Sequence, residues 1–126
     1  MAELPFAYAL LRVVPDVERG ERLNVGVVVY CRQRDFLDLR AQLDESRAAA
    51  LAPGLDLSAV RASLDALRAV VCGEPARGAL AALPQSERFG WLVAPASTII
   101  QPSEVHTGLT SDPAATLEHL FSTLVR

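Results

Sequence analysis

The chain has 126 residues, 51% of them hydrophobic and 21% charged, with a formal net charge of −3. That balance predicts one globular domain over residues 1–126, large enough to bury a single core, rather than a disordered protein. All 12 basic residues are arginine, which excludes a lysine nucleophile, a Schiff base or a P-loop lysine, and the acidic balance makes nucleic acid an unfavourable partner.

No apolar stretch approaches the roughly 20 residues that cross a bilayer, and the N-terminus lacks a basic region followed by an apolar core and a cleavage site. The expectation is a cytoplasmic protein with no membrane contact. Cys31 and Cys72 lie far apart in apolar surroundings with no CxxC, so reduced, buried thiols are preferred over a disulfide or a catalytic role. With 2 histidines and no metal-ligand spacing, neither a metal nor another cofactor is expected.

Taken in chain order, residues 6–14 (FAYALLRVV) combine aromatic and branched side chains and stop at Pro15, the pattern of a strand. Residues 24–31 (NVGVVVYC) form an unbroken apolar run, which suits a strand covered on both faces. Residues 35–41 (DFLDLRA) put Leu37 and Leu39 on one face and Asp38 and Arg40 on the other. The link RQR at 32–34 is short enough for a hairpin, making the second and third strands antiparallel neighbours.

The period then changes. A short helix is expected from Asp44 to Leu51, ended by Pro53 and Gly54, and a longer one carrying Leu57, Val60, Leu64, Leu67 and Val71 on one stripe. Asp56 or Ser58 caps the start of the longer helix, and Gly73 with Pro75 stops it. The alanine-rich stretch between Pro75 and Pro84 allows a further short helix. Residues 88–95 (RFGWLVAP) and 97–102 (STIIQP) are expected as strands, the first weakened by Gly90. Asp112 and Pro113 open a last helix with Leu117, Leu120, Phe121 and Leu124 on one side. The order predicts an α+β fold, a single-layer, mainly antiparallel sheet of about five strands packed with two main helices.

Two polar knots interrupt these runs, PDVERGERLNVG at 15–26 and QPSEVHTG at 101–108. In the first, a functional reading uses Arg19 to grip an anion and Glu21 or Asn24 to orient it, whereas the preferred, simpler reading is a charged loop whose turn fixes a hairpin. Arg12 lies in an otherwise apolar strand, so it either points inward to a partner or outward to a polar rim. One useful expectation is that Arg12 and the first knot meet the second across the sheet. In the second knot, Gln101, Ser103, His106 and Thr107 are the polar positions. Ser103 and His106 are expected to hold their own loop rather than form a nucleophile and base, because residues three apart in a loop make no triad and no G-x-S-x-G accompanies them. His119 is expected on the solvent side of the last helix.

The strings YALLRVVPDVERGERLNVGVVVYC at 8–31, DFL at 35–37 and STIIQPSEVHTGLTSDP at 97–113 resemble a bacterial domain-of-unknown-function family, catalogued as number three-zero-three-seven. The resemblance covers nearly the whole chain and carries no established activity. It implies a small cytosolic protein often encoded beside a HipA-like kinase homologue, and hence a partnership with such a kinase. The matching polar positions are Arg12, Arg19, Gly20, Glu21, Asn24, Gly26, Gln101, Pro102, Ser103, His106 and Gly108.

Two functions remain open. The leading one is a non-catalytic interaction or regulatory module, for which an exposed apolar patch near Trp91 or an open sheet edge would speak. The alternative is a ligand-binding protein or enzyme acting on an anionic or phosphorylated compound, with Arg12, Arg19 and Arg88 as anion grips and His106 or Glu21 as proton-transfer groups. A homodimer through edge strands or the last helix fits either.

Overall fold

The computed structural model describes residues 2–16, 18–73, 78–95 and 98–126. A five-stranded open sheet forms its centre, with strands β1 (Leu4–Val13), β2 (Leu23–Cys31), β3 (Phe36–Ala41), β4 (Ile100–Pro102) and β5 (His106–Thr110). The order across the sheet is β3-β2-β1-β4, with β5 also pairing β1, and every pairing is antiparallel. Helices α1 (Glu45–Leu51), α2 (Leu57–Cys72), α3 (Gln85–Leu92) and α4 (Pro113–Leu124) complete an α+β fold.

Aspartate starts three of these helices. The carboxylates of Asp44, Asp56 and Asp112 each accept the backbone N–H three residues on, the geometry that satisfies an otherwise orphaned donor of the first turn. At the other end of α2, Gly73 takes φ 70° and returns its N–H to the carbonyls of Ala69 and Val70. The 32–34 link is a 3-10 turn joining β2 to β3, as the hairpin expectation required.

The apolar run of β2 is covered on both faces, and Val25, Val27, Val28 and Val29 are all fully buried. Val25 and Val28 join Ala9, Leu11, Val13, Leu39, Val60, Leu64 and Phe89 in the larger core beneath α2 and α3. Val27 and Val29 join Leu10, Leu117, Phe121 and Val125 in a second core beneath α4. The α4 stripe read from the sequence is the one that faces this core, with Leu120 and Leu124 at its margin.

Four expectations change. Residues 88–95 do not form a strand, because Gln85–Leu92 are helical and bury Arg88, Phe89 and Leu92 on one side while Gly90 and Trp91 face outward. Phe89 stacks on Tyr30 of β2 with ring centroids 5.2 Å apart, and that contact seats α3 on the sheet. The strand expected over 97–102 is shorter, Ile100–Pro102, and residue 97 lies outside the described residues. Residues 106–110, expected as part of a loop, form β5. Cys31 is buried as expected, but Cys72, on the outer side of the last turn of α2, is exposed; both thiols are free. Of the segment between Pro75 and Pro84, residues 74–77 lie outside the described residues and Leu80–Ala82 form a 3-10 turn.

Candidate functional site

Register decides which polar residues meet. Arg12 pairs with Asn24 on one side and with Gln101 on the other, and directly paired residues project from the same face. Leu10, two residues earlier, belongs to the core under α4, so the row Asn24–Arg12–Gln101 lies on the α4 face at one end of the sheet. The two knots therefore meet in part. Asn24 and Gln101 flank Arg12, which is half-buried at the rim.

The side chains in this row have definite partners. The Arg12 Nε–H donates to Asn24 Oδ1 at 3.2 Å, and Asn24 Nδ2 donates to the carbonyl of Leu124 at 3.0 Å. Asn24 thus orients the guanidinium while capping a carbonyl at the end of α4, where unpaired C=O groups carry partial negative charge. Arg47, on α1, reaches the same helix end and donates from Nη1 to Val125 O at 3.1 Å, with its Nε 3.5 Å from Asp44 Oδ2. Around these groups opens a cleft of about 410 Å³ lined by Arg12, Arg22, Asn24 and Arg47 together with apolar neighbours. Among the described residues no carboxylate lines it.

The remaining positions sit elsewhere. Arg19 and Glu21 form an exposed ion pair with each other, beside Pro15 and the C-terminal end of α1. His106 pairs with Tyr8, four residues along β1 from Arg12, or about 13 Å at the usual rise of a strand. Its ring lies 5.2 Å from that of Tyr8, and its Nε2 is 3.7 Å from Glu104 Oε1. Gln101 Nε2 donates to Thr98 O at 3.1 Å.

Ser103 is buried and fully occupied. Its Oγ accepts the N–H of Leu10 at 2.8 Å and donates to Glu104 O at 2.9 Å. Both partners of its hydroxyl are backbone groups, and it makes no hydrogen bond to His106 among the described residues.

Arg88 is turned into the protein. Its Nε–H donates to Leu83 O at 2.9 Å, and Nη1 donates to Val70 O and Val71 O at 2.9 and 2.7 Å. It closes the C-terminal turn of α2, and a Cβ at Gly73 would come within 2.8 Å of its Nη1. The arginines that join Arg12 at the cleft are Arg22 and Arg47 rather than Arg19 and Arg88. Arg22 stood within the first knot, but nothing in its spacing distinguished it from Arg19. Arg47 carried only the signal of a residue three beyond an N-cap.

A second surface lies on the opposite face. Trp91, 49% exposed, stands beside an apolar groove of about 190 Å³ formed with Leu11, Leu67, Leu92, Ile100 and Pro102. The outer edge of β4 and β5 adjoins it with no strand partner among the described residues, and it carries exposed Leu109.

The strands that carry these surfaces also carry the strings on which the resemblance rests. A model of the family described as a protein of unknown function (DUF3037) matches residues 8–125. The chain belongs to this family. In this DUF3037 member the matched segment takes in the Asn24–Arg12–Gln101 row, Arg22, Arg47 and the Trp91 groove. Neither a curated protein nor a solved structure matches the chain.

Proposed function

We propose that the protein is a non-catalytic interaction module that regulates a cytosolic partner, with a HipA-like kinase as the first candidate. The observation that carries this reading is the half-exposed Trp91 beside an apolar groove. A tryptophan kept partly in water leaves a large apolar surface uncovered, and such residues recur among those that dominate binding energy at protein interfaces. The groove accepts an apolar side chain of the partner, while backbone groups along the neighbouring strand edge are available to its main chain.

Affinity capture from native cytosol tests this reading, with wild type compared against Trp91→Ala and against the double variant Arg19→Ala, His106→Ala. Trp91→Ala is expected to lose a specific partner, including a co-expressed HipA-like kinase, with a thermal midpoint close to wild type because the side chain is half in water. Trp91 is also the only tryptophan, so its emission should shift to the blue on docking. Undiminished capture by Trp91→Ala removes the groove from the interface. Loss confined to the double variant would move the interface to the two knots.

A further inference from the structure

Three guanidinium groups surround the cleft at the end of α4, and the fold uses only part of their hydrogen-bonding capacity. Arg47 is committed to Val125 O and Asp44. Arg12 commits its Nε to Asn24, and among the described residues its two Nη groups have no hydrogen-bond or ion-pair partner. Arg22 is exposed and makes no side-chain hydrogen bond or ion pair among the described residues. Capping α4 accounts for Asn24 and Arg47, not for Arg12 Nη or Arg22. Surface ion pairing accounts for neither among the described residues, since Asp44, in the adjoining recess, is engaged by Arg47. Two guanidiniums with spare donors thus face one recess in a chain of net charge −3.

We propose that this cleft binds the phosphate group of a small phosphate monoester. A guanidinium presents N–H groups in a planar fork that matches two oxygens of an oxyanion, and a phosphate group has oxygens enough for two such forks. Arg12 and Arg22 supply the direct contacts, and Arg47 adds positive charge from the rim. Asn24 is a positioning residue, since its Oδ1 fixes the Arg12 fork and its amide ties that fork to α4, which lowers the ordering cost of binding. The site is an open cleft of about 410 Å³ in an acidic molecule, and its three arginines sit together at one end of the sheet, so it suits a small molecule rather than a nucleic-acid backbone, which needs an extended cationic track. This site lies on the opposite face from the Trp91 groove and stands independently of it.

The test is a titration of full-length protein with inorganic phosphate and, separately, adenosine monophosphate, at constant ionic strength held with sodium chloride. Proton–nitrogen NMR follows the Arg12 Nε–H and the Asn24 side-chain amide. Saturable shifts at both groups are expected, tighter for the monoester if a small phosphorylated molecule is the ligand and equal if free phosphate is. Arg22→Ala removes an exposed side chain that has no hydrogen-bond or ion-pair partner among the described residues, so its backbone spectrum should stay native while affinity falls about tenfold, the loss expected for one charge-assisted contact. Asn24→Asp keeps all three arginines but pairs Arg12 with a carboxylate, and should weaken binding as well. Arg19→Ala, outside the cleft, should bind as wild type does. Shifts that fail to saturate in the millimolar range, or that persist unchanged in Arg22→Ala, overturn the proposal.

Discussion

At position 103 a side-chain hydroxyl stands in for a backbone carbonyl. In an antiparallel hydrogen-bonded pair the two residues exchange N–H···O bonds in both directions. Ser103 N–H donates to Leu10 O at 2.8 Å, but the return bond from Leu10 N–H goes to Ser103 Oγ, also at 2.8 Å. Ser103→Ala therefore leaves a donor in the centre strand without its acceptor, in a place that is buried. The expected cost is about 1–3 kcal/mol, read as a lower urea midpoint with an unchanged slope. A midpoint equal to wild type would mean that the Ser103 carbonyl can turn to take the bond. The sequence singled out Arg12 as a charge in an apolar strand, Ser103 as a polar position of the second knot and Arg88 as a candidate anion grip, and all three are bound to specific partners. What it did not contain was direction. Arg88 turns to the carbonyls of α2 and Arg12 to the rim, and that difference arises from tertiary contacts separated by many residues.

β4 and β5 pair successively along β1, with an extra residue between their two registers. Across β4, Leu11 faces Pro102, so uninterrupted pairing would set Tyr8 opposite residue 105; instead Tyr8 faces His106. This one-residue offset interrupts the edge, a device that discourages edge-to-edge pairing of sheets. Deleting Glu104, which is exposed, restores regular pairing and yields a longer, smoother edge. The deletion variant is expected to stay folded and to elute from size exclusion as a concentration-dependent dimer or larger species. A monomer at every concentration would show that the offset does not control association. The sequence of β5 carries no strand signal, because HTGLT exposes His106, Thr107 and Leu109 on an edge and so lacks apolar alternation. The difference between sequence and structure at α3 has a matching cause. RFGWLVAP is a short apolar run with a central glycine, and such a run suits a buried strand and a helix equally. The spacing of Arg88 and Leu92 with Phe89 was the helical signal within it. The first three strands and the aspartate-capped helices were legible because each carries a full period of its own.

The whole molecule is a sheet covered unequally, with α2 and α3 over one face and α4 alone over β2 and β3 on the other. The second core is small, and Phe121 is its largest buried side chain, packed among Leu10, Val27, Val29 and Leu117 with the Arg40 guanidinium 4.8 Å from its ring centroid. Arg40 is held there by an ion pair with Glu118 at 3.0 Å. Phe121→Ala removes the anchor of α4 and should cost about 3–5 kcal/mol, from lost burial and the cavity left behind. The effect should be directional as well as large. The carbonyls that Asn24 and Arg47 hold belong to Leu124 and Val125, just beyond Phe121, so loosening α4 also releases the groups that position Arg12. The larger core, by contrast, draws on α2, α3 and the other side of the strands. Hydrogen exchange on Phe121→Ala is expected to show α4 amides losing protection first while α2 amides follow global unfolding, with phosphate shifts at Arg12 weakened and Trp91 emission unchanged. Equal loss of protection in α2 and α4 would mean that the two faces unfold as one unit, and that the cleft and the groove are energetically coupled through the sheet they share.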